Sequence, residues 1–111
     1  MLFIDRLHSS LTSGSFRTWL SRNEPAAVVG RVGRPNHCPL ARYLREVTGI
    51  PVTVDATEQG WYVFHTWGEP IPLPWWAAKF AARERKLGGL DYKVRASQAL
   101  QILDEILGQA L

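Results

Sequence analysis

One short segment of the sequence, from Pro39 to Gly49, has few structural options other than a helix. Proline is favoured at a first helical position, where the N–H that it lacks would be unpaired in any case. Glycine takes the left-handed conformation just past a helix end, so Gly49 predicts the end, and Pro51 prevents the helix from resuming. The apolar residues between them recur with the spacing of one helical face: Leu40, Tyr43, Leu44 and Val47.

The segment before this helix is basic and contains two glycines. Residues 26–32 are rich in valine and follow a proline, so they predict a strand that ends at the turn. Arg31 and Arg34 lie in that turn beside Gly30 and Gly33. Because N–H groups at a helix start favour negative charge, the turn is a candidate anion-binding site. An ordinary strand-to-helix connection with solvated arginines also explains the same residues.

Cys38, the only cysteine, stands at the start of the same helix and follows His37. In one interpretation the helix dipole and the nearby arginines lower the pKa of its thiol and make it a nucleophile. In the other, Cys38 is a small buried apolar residue, as free cysteines commonly are. Cysteine phosphatases need an arginine six residues after the cysteine, where this chain has Leu44, so that activity is excluded. We therefore predict no catalytic residue and no enzymatic activity.

Residues 52–67 follow a period of two and predict an antiparallel hairpin. Valine alternates with polar residues over 52–55, and residues 57–60 have the composition of a turn. If Ala56 pairs with Trp61, the valines of both strands share one face of the hairpin.

The returning strand of this hairpin is apolar on both faces. Antiparallel sheets commonly leave one face in water, so either helices cover both faces or an aromatic face is left for a partner. Exposed aromatic rings beside arginines are also the means by which proteins stack single-stranded nucleic acid. The aromatic side chains that we predict for a partner interface are Tyr62, Phe64, Trp67 and Trp75.

The rest of the chain is typical of short helices joined to this hairpin. Residues 90–94 are predicted as the connection into the last helix. The fold class is therefore α+β, a small two- or three-stranded antiparallel sheet packed against four or five helices. At 111 residues the chain forms one domain, 1–111, in which residues 1–15 are predicted to be a mobile N-terminal segment. Apolar spacing places the further helices near 4–11, near 16–20, from Trp75 to Gly88, and over 96–107.

Positive charge is concentrated in the first part of the chain. Residues 1–45 hold seven arginines and two acidic residues, a formal charge of +5, whereas residues 46–111 carry −2. Ten arginines against three lysines favour bidentate contacts with phosphate or carboxylate. The helix that begins at Trp75 carries three basic residues along one flank: Lys79, Arg83 and Lys86. This pattern is typical of a nucleic-acid-binding face and also of a solvated face.

These charges predict a non-enzymatic binding protein that holds an acidic partner, nucleic acid in the first place. The alternative is a protein-interaction module, such as an adaptor or an inhibitor of a host, phage or defence complex. That module would use the aromatic hairpin or the last helix, as a small homodimer or a heteromer. The residues predicted to bind nucleic acid are Arg31, Arg34, Arg42, Arg45, Lys79, Arg83 and Lys86.

No metal and no cofactor is predicted, since the three histidines and Cys38 lack a recognised zinc-ligand spacing. No apolar stretch approaches the about 20 residues needed to cross a bilayer. Asp5 and Arg6 interrupt the apolar N-terminus where a signal peptide would need an unbroken run. We therefore expect a cytoplasmic protein that does not enter the membrane.

Three short motifs carry a resemblance. Residues 38–44 read Cys-Pro-Leu-Ala-Arg-Tyr-Leu, residues 73–75 read Leu-Pro-Trp, and residues 99–103 read Ala-Leu-Gln-Ile-Leu. Together they resemble small uncharacterised proteins of bacteria, phages and mobile elements. The resemblance implies an intracellular accessory protein and brings no catalytic residues with it.

Overall fold

The computed structural model describes residues 3–66 and 68–109. Within these ranges the chain forms five α-helices and two small antiparallel sheets, which confirms the predicted α+β class. A 3-10 turn over Arg85–Leu87 follows the fourth helix. The elements in chain order are α1 (Phe3–Ser10), α2 (Ser13–Ser21), β1 (Val28–Arg31), α3 (Pro39–Thr48), β2 (Val52–Thr57), β3 (Gly60–His65), β4 (Ile71–Pro72), α4 (Trp75–Glu84), β5 (Lys93–Arg95) and α5 (Ala96–Gln109).

Helix α3 has the bounds that its sequence predicts. It begins at Pro39 after an extended Cys38, and it ends at Gly49, whose φ of 72° is the left-handed conformation. The Gly49 N–H donates to the carbonyl of Arg45 and closes the last turn. Only Val47 departs from the predicted apolar stripe, because its side chain is 46% exposed.

The hairpin also has the predicted register, with Ala56 opposite Trp61. Strand β4 pairs with the other edge of β3 and completes a three-stranded sheet in the order β2-β3-β4. One face of this sheet is buried and carries the valines of β2 and β3. The other face is not fully covered: its side chains are only half-buried, and they include Thr53, Asp55, Tyr62 and Phe64.

A second sheet consists of β1 and β5, which pair antiparallel. The sequence predicted a connection over 90–94, but Lys93–Arg95 is a strand. Val94 is fully buried between exposed Lys93 and Arg95, so the strand contributes one apolar side chain to the core. A pattern of three residues is too short to reveal alternation in the sequence. The loop between β1 and α3 therefore lies beside a sheet that was not predicted.

The N-terminal helix packs on the rest of the molecule. Leu7 and Leu11 are buried, and the Tyr43 hydroxyl donates to the carbonyl of Ser10 at 2.6 Å. The segment predicted as mobile, 1–15, therefore contains a packed helix in its described part.

Aromatic rings from three helices fill the centre of the core. The Phe16 ring of α2 lies 5.1 Å from that of Tyr43 in α3 and 5.0 Å from that of Phe80 in α4, measured between centroids. Helix α5 packs against both α2 and α4. This helical layer supports the two sheets and leaves the loop of residues 32–38, between β1 and α3, on the outside.

Candidate nucleic-acid interface

Four basic residues lie at the end of the β1–β5 sheet and in the adjoining loop of residues 32–38. Arg31 in β1 stands directly opposite Lys93 in β5. Arg34 and His37 belong to the loop, and the His37 carbonyl accepts the Arg31 N–H at 2.8 Å. All four side chains are exposed. We call this set, Arg31, Arg34, His37 and Lys93, the basic ridge.

Backbone hydrogen bonds hold the loop of the basic ridge in place. The Arg34 carbonyl accepts the N–H groups of His37 and Cys38, both at 2.9 Å. On the other side, Val32 donates to the carbonyl of Tyr92 at 3.0 Å and accepts from Asp91 at 2.9 Å. The loop is thus tied both to the start of α3 and to the turn before β5.

Arg34 has a partner inside the molecule. Its guanidinium donates two hydrogen bonds to the Asp91 carboxylate, at 2.8 and 2.9 Å. This bidentate contact raises the pKa of Arg34 and lowers the pKa of Asp91, to which the charges of Arg31 and His37 also contribute. Arg34 therefore fixes the loop against the turn before β5, and part of its charge is already compensated.

Arg31 and Lys93 have no such partner. Among the described residues neither side chain makes a hydrogen bond or an ion pair. Directly opposed side chains on antiparallel strands have Cβ atoms about 5 Å apart, and like charges in that position repel. The two residues therefore form a pair of exposed cations, and the Asp91 carboxylate is near enough to Arg31 for their charges to interact. A further anion between the two cations would reduce their repulsion.

The two other predicted arginines of the first half lie on α3 and have different surroundings. Arg42 is half-buried and donates to the carbonyl of Val28 at 3.2 Å, which joins α3 to β1. Arg45 lines a groove of about 420 Å³ together with Phe64. Of the predicted set, Arg31 precedes the loop 32–38, Arg34 lies in it, and Arg45 lines a groove with Asn36 of the same loop. Arg42 makes a structural contact instead.

The predicted stripe on α4 lies elsewhere on the fold. The Lys79 ammonium sits 5.8 Å from the centroid of the Trp75 ring, and Arg83 approaches the Glu105 carboxylate at 3.6 Å. Lys86 follows in the 3-10 turn and is exposed. Glu105 of α5 thus compensates part of the charge of Arg83.

Two of the four predicted aromatic residues pack together in the described structure. Tyr62 and Phe64 share the half-open face of the three-stranded sheet, with ring centroids 6.3 Å apart. Trp75 is 52% exposed at the start of α4. Trp67 lies outside the described residues.

A small cavity lies on the inner side of the loop 32–38. Its volume of about 10 Å³ suits a single water molecule. Arg85 lies at one side of this cavity. Its guanidinium is held there 4.5 Å from the centroid of the Trp61 ring, and it donates to Asp55 at 3.2 Å. Among its lining residues are the two buried ionisable side chains Cys38 and Glu84.

Both ionisable groups in this cavity are shifted towards their neutral forms. Glu84 is 3% exposed, and burial raises the pKa of its carboxyl from 4.5 to about 7, with Arg85 acting in the opposite direction. Its Oε2 atom has no hydrogen-bond partner among the described residues. Burial likewise raises the pKa of the Cys38 thiol from 9.0 to about 12. Cys38 is thus a free, buried cysteine, as the second of its two interpretations expects.

Sequence reasoning missed Glu84, although the sequence contains a signal. Trp76, Phe80 and Glu84 recur at intervals of four, so Glu84 continues the buried stripe of α4. A charged residue is typical of a solvated position, so the spacing is the better guide here.

Other features of the described residues do not point to a different site. No group of three or more histidine, cysteine and acidic side chains is placed to hold a metal ion in that part of the chain. None of its helices is long and apolar enough to cross a membrane. A larger groove of about 560 Å³ runs between α2 and α3, and Arg22 is its single cation.

Comparison of the chain with protein-family models, with curated proteins and with solved structures found no match.

Proposed function

We propose that this protein binds nucleic acid through the basic ridge and has no enzymatic activity. The observation that carries the proposal is the opposition of Arg31 and Lys93, both exposed and both without a side-chain partner in the described residues. A phosphate placed between the two side chains attracts both and removes their mutual repulsion. Nucleic acid supplies phosphates at a regular spacing, and their neutralisation releases bound counterions.

The distribution of charge along the chain supports the same partner. The first 45 residues carry a formal charge of +5, and the whole chain carries +3. Arg34 extends the positive surface along the loop, and the acidic residue that it contacts on the exposed side is Asp91. A positive surface of this kind raises the rate of encounter with a polyanion as well as its affinity.

The experiment is fluorescence anisotropy of labelled single- and double-stranded DNA and RNA at about 50 and about 200 mM salt. We expect micromolar or tighter binding at low salt that weakens at high salt. The ridge variant Arg31→Gln/Lys93→Gln removes two phosphate contacts, so the slope of log affinity against log salt should flatten by about 1.5. The comparison variant Arg17→Gln/Arg22→Gln removes the same formal charge from α2 and from the residue that follows it, and it should keep the wild-type slope. It also removes the ion pair of Arg17 with Asp104, so its melting temperature is measured alongside.

Three results would contradict the proposal. No binding to any of the four probes at low salt would redirect the search to a protein partner at the aromatic hairpin. Equal losses in the ridge variant and its matched control would mean that only net charge matters. A larger loss in Lys79→Gln/Lys86→Gln than in the ridge variant would locate the binding face on α4.

A further inference from the structure

We propose that the groove beside Phe64 takes an unpaired base, so that the ligand of the basic ridge is a single-stranded nucleic acid. This inference rests on the function proposed above. The groove lies between α3 and the half-open face of the three-stranded sheet, and its volume of about 420 Å³ is that of a small-molecule pocket. The lining residues that the argument uses are Asn36, Arg45, Thr53 and Phe64.

Phe64 supplies the surface on which a base would stack. Its ring is half-buried on the open face of the sheet, where no helix covers it fully. The same ring lines a neighbouring groove with Tyr62, whose ring is tilted by 51° to that of Phe64. Stacking of a base on such a ring contributes about 1–3 kcal/mol and is largely independent of sequence.

The polar groups at the groove suit a nucleotide. Asn36 and Arg45 make no side-chain hydrogen bond with any described residue, so the amide can pair with a base edge and the guanidinium with a phosphate. No acidic residue lines the groove in the described structure. The neighbouring groove, in contrast, contains Glu69, which disfavours a phosphate there. The sugar-phosphate backbone of the ligand is therefore expected on the Arg45 side of Phe64.

One loop connects this groove to the basic ridge. Asn36 lies between Arg34 and His37 in the sequence, so the loop 32–38 contributes to both surfaces. The carbonyl of Pro35 accepts the N–H of Val54 at 2.9 Å, which fixes the loop against the edge of the sheet. A strand whose phosphates lie on Arg31 and Lys93 can continue over this loop and place its next bases at Phe64.

Base pairing decides which nucleic acid can use the groove. The bases of a duplex are stacked on each other and their edges are paired, so they cannot lie on Phe64 without being opened. Unpaired bases meet no such barrier. The ridge alone binds either form through phosphates, and the groove adds affinity for the single-stranded form.

The test compares a labelled oligothymidylate with a hairpin duplex of the same number of phosphates. Phe64→Leu keeps an apolar side chain and removes the ring, and it should weaken single-strand binding about 5- to 100-fold while it leaves duplex binding unchanged. Trp19→Leu is the matched control, because it removes another half-buried ring that lines a different groove. Arg45→Gln serves as the second variant if Phe64→Leu has a lower melting temperature, and it should weaken the single-stranded probe more than the duplex.

The outcomes separate this inference from the proposed function. Equal affinity of the wild-type protein for both probes, or equal losses for both probes in Phe64→Leu, would overturn the base site and leave the ridge intact. If Arg31→Gln/Lys93→Gln lowers the affinity for both probes, this supports binding by the basic ridge, whatever the result for Phe64→Leu. Absence of binding to both probes at low salt would overturn the proposed function and the base site together.

Discussion

Ionisable side chains that lack a hydrogen-bond partner among the described residues lie on both sides of the loop 32–38. Those on the outer side are exposed, whereas the one on the inner side is buried, and this difference gives them opposite properties. On the outer side, Arg31 and Lys93 are exposed to solvent. On the inner side, Glu84 is buried with an unpartnered oxygen, and its pKa is raised to about 7. An exposed unpaired charge is thus available to a ligand, whereas a buried one makes stability depend on pH.

Gly30→Ala should have the largest effect on stability, because Gly30 allows β1 to pack closely against the start of α3. A Cβ at this position would lie 2.5 Å from the nitrogen of Pro39 and 2.9 Å from the carbonyl carbon of Cys38, so the start of α3 would have to move. We expect the free energy of unfolding in urea to fall by about 3 kcal/mol or more. Gly14→Ala is the matched control, since a Cβ there meets no atom within 4 Å and α2 should become slightly more stable. An unchanged urea midpoint for Gly30→Ala would contradict this close packing.

The next effect is the pH dependence that Glu84 confers. The pKa of the Glu84 carboxyl is higher in the folded protein than its ordinary value of 4.5, so the folded state binds this proton more tightly. The carboxyl therefore stabilises the fold fully at pH values below 4.5. This contribution is lost as the pH rises through about 7, and the free energy of unfolding should fall by about 3 kcal/mol in total. Glu84→Gln should flatten the profile and be more stable than the wild type at pH values above the shifted pKa.

Urea unfolding at a series of pH values measures this profile. Glu105→Gln is the matched control, because Glu105 is an exposed glutamate of α5. A wild-type profile that is retained in Glu84→Gln would show that the buried carboxyl is not the source of the pH dependence.

Arg31→Thr should have the smallest effect, and it tests the repulsion on the outer side. Removal of one of two opposed cations should raise the free energy of unfolding by at most about 1 kcal/mol at low salt, because the attraction between Arg31 and Asp91 is lost together with the repulsion from Lys93. The gain should shrink at high salt, because salt screens exposed charges. Arg22→Thr, at the end of α2 and without an opposed cation, should show no salt-dependent gain. A gain for Arg31→Thr that is independent of salt would reflect strand propensity and not repulsion.

The parts of the fold that the sequence predicted are those whose signal is local. The bounds of α3 follow from Pro39, its apolar spacing and Gly49, all within one segment. The register of the hairpin follows from alternation around one short turn. Each pattern predicts its element without knowledge of the neighbouring elements, because one face must be buried whatever packs against it.

The candidate site was only partly predictable because it depends on contacts between distant segments. Arg31 stood out in the sequence, but its opposition to Lys93 requires the pairing of β1 with β5, and three residues give no strand signal. The contact between Arg34 and Asp91 likewise joins two loops. Phe64 was predicted as an interface residue, yet the groove that it lines with Asn36 exists only once the loop 32–38 has packed on the sheet.

The most direct test of the binding surface is a titration of ¹⁵N-labelled protein with a short oligothymidylate, followed by amide chemical shifts. We expect the largest changes on the amides of residues 31–34, 36–37, 64–66 and 92–94, and little change in α4 and the 3-10 turn. Changes concentrated at Trp75–Glu84 or on α5, or no changes at low salt, would contradict it.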